Sequence, residues 1–251
     1  MDSEFLLWLG IGALGQLIDG AIGMGFGPIV SAVLLSLGVP PIASSTAVNA
    51  AKIATGAASA ASHAWFENVD RRTFRHLVIA GMLGGLVGAL ILSQIDGKAV
   101  LPFVNAYLVL LGFLILYRAF RPVVPKLPHA LGIAGTGLAA GTLNAIGGGG
   151  WGSITTAGLM GQGQSPRFAI GTANAAEFLV ALVTTLAFSA NFGSVPWLNV
   201  LAIVAGGFLT APFAAWLAKH LPIKLMTVLV AVLVIGLSGY GLWQHLTKLA
   251  S

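Results

Sequence analysis

Long apolar runs, interrupted by short polar or glycine-rich stretches, set the pattern of this chain. Six runs are continuous: Ile42–Ala64, Leu77–Ile95, Val100–Tyr117, Phe168–Phe188, Leu198–Ala218 and Ile223–Trp243. Each is long enough to cross a hydrocarbon core roughly 30 Å thick, which takes about 20 helical residues. Two further segments do not fit that length. Phe5–Val39 is too long for one span, and its glycine cluster splits it. The pieces, about 14 and 11 residues, reach only about 21 and 16 Å at the helical rise. Leu131–Gly161 breaks in the same way at Gly147–Gly152. Each predicts a re-entrant helical hairpin, because non-helical backbone at that depth is tolerated only against protein or a watery cavity. The pattern predicts an all-α polytopic membrane protein.

Composition agrees with the pattern. Hydrophobic residues make up 57% of the 251 residues and charged residues 8%, whereas soluble domains carry about 25% charged residues. A water-facing surface cannot be built from this inventory. The net charge of +5 then reflects Lys and Arg at the cytoplasmic membrane face rather than a nucleic-acid partner. With no cysteine, disulfides, thiolate metal sites and cysteine nucleophiles are excluded. The acidic start Met1-Asp-Ser-Glu-Phe lacks the basic region of a cleavable signal, so the first apolar segment is expected to stay.

The chain also repeats itself. A shift of 125 residues superposes Gly23, Gly25 and Gly27 on Gly148, Gly150 and Gly152, and Phe26 on Trp151. The same shift carries Pro41 to Pro166, Asn49-Ala50-Ala51 to Asn174-Ala175-Ala176, and Gly81 to Gly206. Each repeat then reads as one hairpin followed by three spans. Repeat 1 (1–120) holds hairpin 5–39 and spans 42–64, 77–95 and 100–117; repeat 2 (131–251) holds hairpin 131–161 and spans 168–188, 198–218 and 223–243. A cytoplasmic linker, 121–130, carries Pro122, Pro125 and Pro128. Three crossings per half make the repeats inverted. With the N-terminus outside, nine of the twelve basic residues fall inside: Arg71, Arg72, Arg75, Arg118, Arg121, Lys126, Arg167, Lys219 and Lys224. Hairpins read as full crossings would spoil that sorting.

Paired, glycine-interrupted apolar segments in corresponding halves point to a secondary transporter's binding site. Lys52 sits mid-span, where a cation costs roughly 3 kcal/mol, and Glu177 is its repeat mate. Two readings stand open: a buried ion pair locking the halves together, or Lys52 as an anion ligand with Glu177 tuning it or carrying a proton. Asn49 and Asn174 lie three residues earlier on the same helix faces, and Thr46, Gly56, Ser59 and His63 continue the first stripe. Such faces either pack helices closely or orient an oxyanion. The clusters Gly25-Phe26-Gly27 and Gly149-Gly150-Trp151-Gly152-Ser153 unwind a helix and leave backbone N–H groups at the start of the next half-helix. That end binds anions without side-chain charge, and two such ends converge at the midplane if the repeats are inverted. Asp19 beside the first cluster is either a proton or cation site or a polar cap of the break. The histidines show no metal spacing and read as interfacial, and Trp65, Trp197 and Trp243 read as belt anchors. Phe26 and Trp151 lie inside the breaks, where one of them walls the pocket.

Two halves that each open on a glycine-rich break and continue to Pro41 or Pro166 resemble the TauE/SafE family of sulfite exporters over essentially the whole chain. The resemblance implies a carrier of small sulfur-containing or carboxylate anions, such as sulfite or organosulfonates, in the bacterial cytoplasmic (inner) membrane. Met24 interrupts the first glycine cluster where the family pattern has consecutive glycines, so the two sides of the site are not expected to be equivalent. The leading expectation is a secondary transporter, working as an exporter, of a small anion, with the lipid bilayer as its surroundings and no cofactor. Alternatives are an anion channel or a small-carboxylate transporter. An intramembrane serine enzyme is disfavoured, because no mid-span histidine faces Ser153 as a base. Monomer and homodimer stay open.

Overall fold

The computed structural model describes residues 3–22, 25–65, 67–120, 129–190, 195, 197–220 and 223–250. Among them every regular element is helical: α1 (Ser3–Ile22), α2 (Phe26–Ser36), α3 (Pro41–Trp65), α4 (Arg71–Gln94), α5 (Gly97–Arg118), α6 (Ala130–Gly147), α7 (Trp151–Gly161), α8 (Pro166–Ala187), α9 (Trp197–His220) and α10 (Ile223–Ala250). Residues 121–128 of the expected linker, and Gly23 with Met24, lie outside the described residues.

Local chemistry sets several of the boundaries. Asp70 caps α4, accepting from the backbone N–H of Arg72 at 2.8 Å and of Thr73 at 3.3 Å. The helix therefore starts six residues ahead of the apolar run. Asp96 caps α5 in the same way through the Lys98 N–H. Gly148 closes α6 in the left-handed conformation, φ 67°, where a side chain would be strained. The first limb of the first break is longer than the pattern predicted, 20 residues in α1, whereas α6 ends at Gly147, where the second break was expected. The second limbs, α2 and α7, have 11 residues each. The physical reason is that glycine inside a helix costs only about 1 kcal/mol, so Asp19-Gly20 does not end α1.

Four helices among the described residues are long and apolar enough to cross a membrane: Arg71–Gln94, Gly97–Tyr117, Ala130–Gly147 and Arg167–Ala187. α3 has the length, 25 residues, but its polar stripe lowers its hydropathy. Large apolar side chains such as Leu83, Leu90, Phe103, Leu110 and Leu201 point outward. The interior of α3 and α8 is polar, with Ser45, Thr46, Asn49, Lys52, Thr172, Asn174, Glu177 and Thr184 buried. An apolar exterior around a polar interior suits a bilayer as solvent.

Glycine brings the helices together. On α4, Gly84 and Gly88 abut the carbonyls of Leu138 and Thr142, while Gly137 and Gly141 of α6 abut those of Leu77 and Gly81. This is small-xxx-small packing, and the register shows that α4 and α6 run in the same direction. α1 and α9 pack alike, with Gly12 on the Ile203 carbonyl and Gly206 on the Leu9 carbonyl. The other two large contacts join equivalent helices. α3 and α8 run antiparallel, since Gly56 meets Phe178 while Asn68, just past α3, meets Gly171. α5 and α10 are antiparallel too, with Gly241 against Asn105 and Gly112 against Ile235.

Candidate anion site between the broken helices

The two breaks meet in the interior. Gly27, at the start of α2, and Gly149, just before α7, touch backbone to backbone: a Cβ on Gly149 would fall 2.3 Å from the Gly27 carbonyl carbon. No side chain other than hydrogen fits there. Each second limb is capped by the limb before it. The Phe26 N–H donates to Asp19 Oδ1 at 3.1 Å, and the Trp151 N–H donates to Asn144 Oδ1 at 3.4 Å. Asp19 and Asn144 are repeat mates, so one capping device occurs twice, once with an aspartate and once with an asparagine.

Lys52 Nζ donates to Glu177 Oε1, joining α3 to α8 at repeat-equivalent positions. The two residues are 3% and 5% exposed. Lys52 also lies 5.8 Å from the centre of the Phe26 ring, close enough for a cation–π attraction. Beside the pair is a narrow cleft. α1 contributes Gln16 and Asp19, and α2 contributes Phe26. α3 supplies Lys52, Thr55, Gly56 and Ser59, and α8 supplies Asn174 and Glu177. The free space, about 10 Å³, is at the lower limit for one water. The cleft as it stands has room for no more than about one water.

Five of the site residues expected from sequence line this cleft: Asp19, Phe26, Lys52, Asn174 and Glu177. The rest stand elsewhere. Gly25 is the N-cap of α2 with φ 142°. Asn49 is occupied in helix packing, its Oδ1 accepting from Asn144 Nδ2 at 2.8 Å and its Nδ2 donating to the Ser45 carbonyl at 2.9 Å. Gly150 is the N-cap of α7, and a Cβ there would meet the Tyr107 hydroxyl. Tyr107 itself donates to the Gly149 carbonyl at 3.0 Å. Trp151 is fully buried; its Nε1–H donates to the Ala173 carbonyl at 2.9 Å and its ring fills the space over Gly81. Gly152 and Ser153 are buried near it, the Ser153 hydroxyl without a partner among the described residues. Of the two aromatics in the breaks, Phe26 walls the cleft and Trp151 packs the opposite side.

Gln16 and Thr55 also line the cleft, beyond the residues expected from sequence. Both carried a signal: Gln16 precedes Asp19 by three residues, and Thr55 follows Lys52 by three. His63, near the end of α3, also faces Asn174 across the α3–α8 contact.

Asp19→Asn separates a capping role from a proton-carrying one. Asparagine keeps the acceptor oxygen, as Asn144 does in the other half, so Asp19→Asn is expected to retain at least about half of wild-type transport while Asp19→Ala loses roughly 1 kcal/mol of stability. Loss of transport in Asp19→Asn with an unchanged melting temperature would assign Asp19 a charge-dependent role instead.

An apolar exterior, two broken helices meeting in the interior, and a buried acid–base pair beside them fit a multi-pass membrane protein, and similarity to known proteins makes it a membrane transporter. The chain belongs to the TauE/SafE sulfite exporter family, whose profile matches residues 8–241. It is also similar to the "Probable membrane transporter protein YtnM" of Bacillus subtilis (strain 168), with 39% identity over 241 residues covering 92% of this chain and 80% of that protein. No solved structure matches the chain.

Proposed function

We propose that the protein is a secondary transporter of a small anion, sulfite or an organosulfonate, in a bacterial cytoplasmic membrane, and that the anion binds in the Lys52–Glu177 cleft near the midplane. The observation that carries this reading is the ion pair itself, buried at repeat-equivalent positions beside the start of α2. A carboxylate and a sulfur oxyanion are competing acceptors for one ammonium. When the anion takes Lys52 Nζ, Glu177 loses its partner, and an uncompensated charge at that depth is costly. A proton on Glu177 restores neutrality, so anion and proton move together. The Ser59 hydroxyl and the Asn174 amide, both lining the cleft, supply uncharged donors for the remaining oxygens.

The two halves are read as inverted repeats, each a re-entrant broken-helix hairpin, α1–α2 or α6–α7, followed by three spans. The antiparallel packing of the equivalent helices α3 and α8, and of α5 and α10, supports this, because repeats related by an axis along the membrane normal would run parallel. Arg71 and Arg167 share one end of the bundle, where the Asp70 N–H donates to Thr172 Oγ1. That agrees with a cytoplasmic face there. A space of about 620 Å³ opens beside Arg71, Phe74 and Phe178, divided from the cleft by the Gly56–Phe178 contact. It is a fitting vestibule. So narrow a cleft favours a carrier over a channel, since an open channel would keep a water-filled path through the site.

Proteoliposome flux tests the proposal. Uptake of sulfite or sulfoacetate is expected to saturate and to accelerate when the anion and a proton gradient point the same way. Flux that is insensitive to the proton gradient, or single-channel currents, would overturn it.

A further inference from the structure

His63 lies on α3 one turn beyond Ser59 and is held between two asparagines. Its Nδ1 is 3.4 Å from Asn68 Nδ2, and its Nε2 stands 3.3 Å from the side-chain amide nitrogen of Asn174. With both amide nitrogens turned to the ring, a neutral imidazole would have to accept twice, and it has one acceptor. One amide must turn. Arg167 decides which, because its guanidinium only donates and its Nε donates to Asn68 Oδ1 at 2.5 Å. That bond fixes the Asn68 oxygen toward Arg167 and its NH2 toward His63. His63 Nδ1 is then the acceptor, and the ring proton is on Nε2. The Asn174 amide, whose two ends have the same shape, turns its oxygen to that N–H.

The turn has a consequence for the cleft, which Asn174 lines. With its oxygen held by His63, the Asn174 NH2 is left for the cleft side. We propose that His63 is a positioning residue: as the Nε2–H tautomer it holds the Asn174 oxygen and thereby aims the Asn174 NH2 at the transported anion. This role rests on the anion-transport reading above. The repeat supports a single such device. The position equivalent to His63 is Phe188, buried and apolar, while Asn49, the mate of Asn174, is bound by Asn144 and lies outside the cleft.

The test combines flux kinetics with nitrogen NMR of 15N-histidine-labelled protein, using sulfite as the probe. His63→Phe is expected to raise KM about tenfold with the maximal rate little changed, as for a lost hydrogen bond to a charged group. His63→Gln, whose Nε2–H reaches the place of the imidazole Nε2–H, should restore KM to within about threefold of wild type. Asn174→Ala should raise KM as His63→Phe does, and the double variant should be no worse than Asn174→Ala alone. Multiplying effects, or a His63→Gln as impaired as His63→Phe, would overturn the proposal. So would a lowered maximal rate at unchanged KM. The His63 resonances are expected to show a protonated Nε2 and a bare Nδ1. An Nδ1–H signal in a transporting wild type would remove the positioning role alone. An Nε2–H signal in a wild type without saturable anion flux would remove the transport reading, and the role with it.

Discussion

Gly149→Leu is expected to abolish both folded protein and transport. A Cβ at Gly149 would lie 2.3 Å from the Gly27 carbonyl carbon and from the Pro28 nitrogen, and 2.6 Å from the Gly27 oxygen. Those are backbone atoms, so no rotamer change relieves the clash, and α2 and α7 would have to separate. Overpacking a tight core costs about 1–3 kcal/mol when side chains can shift; here only the backbone can yield, and the cost lies at or above the top of that range. Gly135→Leu is the matched control, because nothing lies within 4 Å of its Cβ position. Size-exclusion profiles and melting temperatures of the two purified variants check the expectation. A Gly149→Leu protein with the wild-type melting temperature would refute the contact between the breaks.

Much of this arrangement was legible in the sequence, and the illegible part has physical causes. The helical class followed from the apolar runs, and the breaks from glycine clusters in both halves. Lys52 and Glu177 could be matched because the single shift that aligns the glycines also aligns them. The length of α1 is not legible, because glycine in the sequence looks like a stop, yet the helix carries on through Asp19-Gly20. The cleft's side was hidden for a different reason. Repeat mates such as Phe26 and Trp151 look interchangeable along the chain, yet only Phe26 reaches the cleft. What separates them is tertiary: Trp151 is drawn away by the Ala173 carbonyl and the space over Gly81. His63 was hidden likewise, because its partners, Asn68 in the turn after α3 and Asn174 inside α8, come together only when α3 and α8 pack antiparallel.

Lys52→Met is the second large effect expected. It leaves Glu177 buried without a partner, and breaking a buried pair from one side costs roughly 3–5 kcal/mol. Replacing both partners by neutral residues of similar volume removes that penalty, so Lys52→Met with Glu177→Gln should regain most of the stability. Transport should not return, because the ammonium that receives the anion is gone. Glu177→Gln alone leaves Lys52 without its carboxylate, and an added anion can then supply the missing charge. That variant should be the least stable without ligand relative to its stability with it.

The ligand-induced shift in melting temperature of the double variant, measured with saturating sulfite or sulfoacetate beside wild type and both single variants, tests the anion site most directly. Ligand binding to the native state stabilises it by mass action. Wild type should show a clear upward shift, Glu177→Gln a larger one, and Lys52→Met with Glu177→Gln none despite its recovered stability. A double variant that shifts as far as wild type would show that the anion binds elsewhere and that Lys52 and Glu177 only hold the helices together.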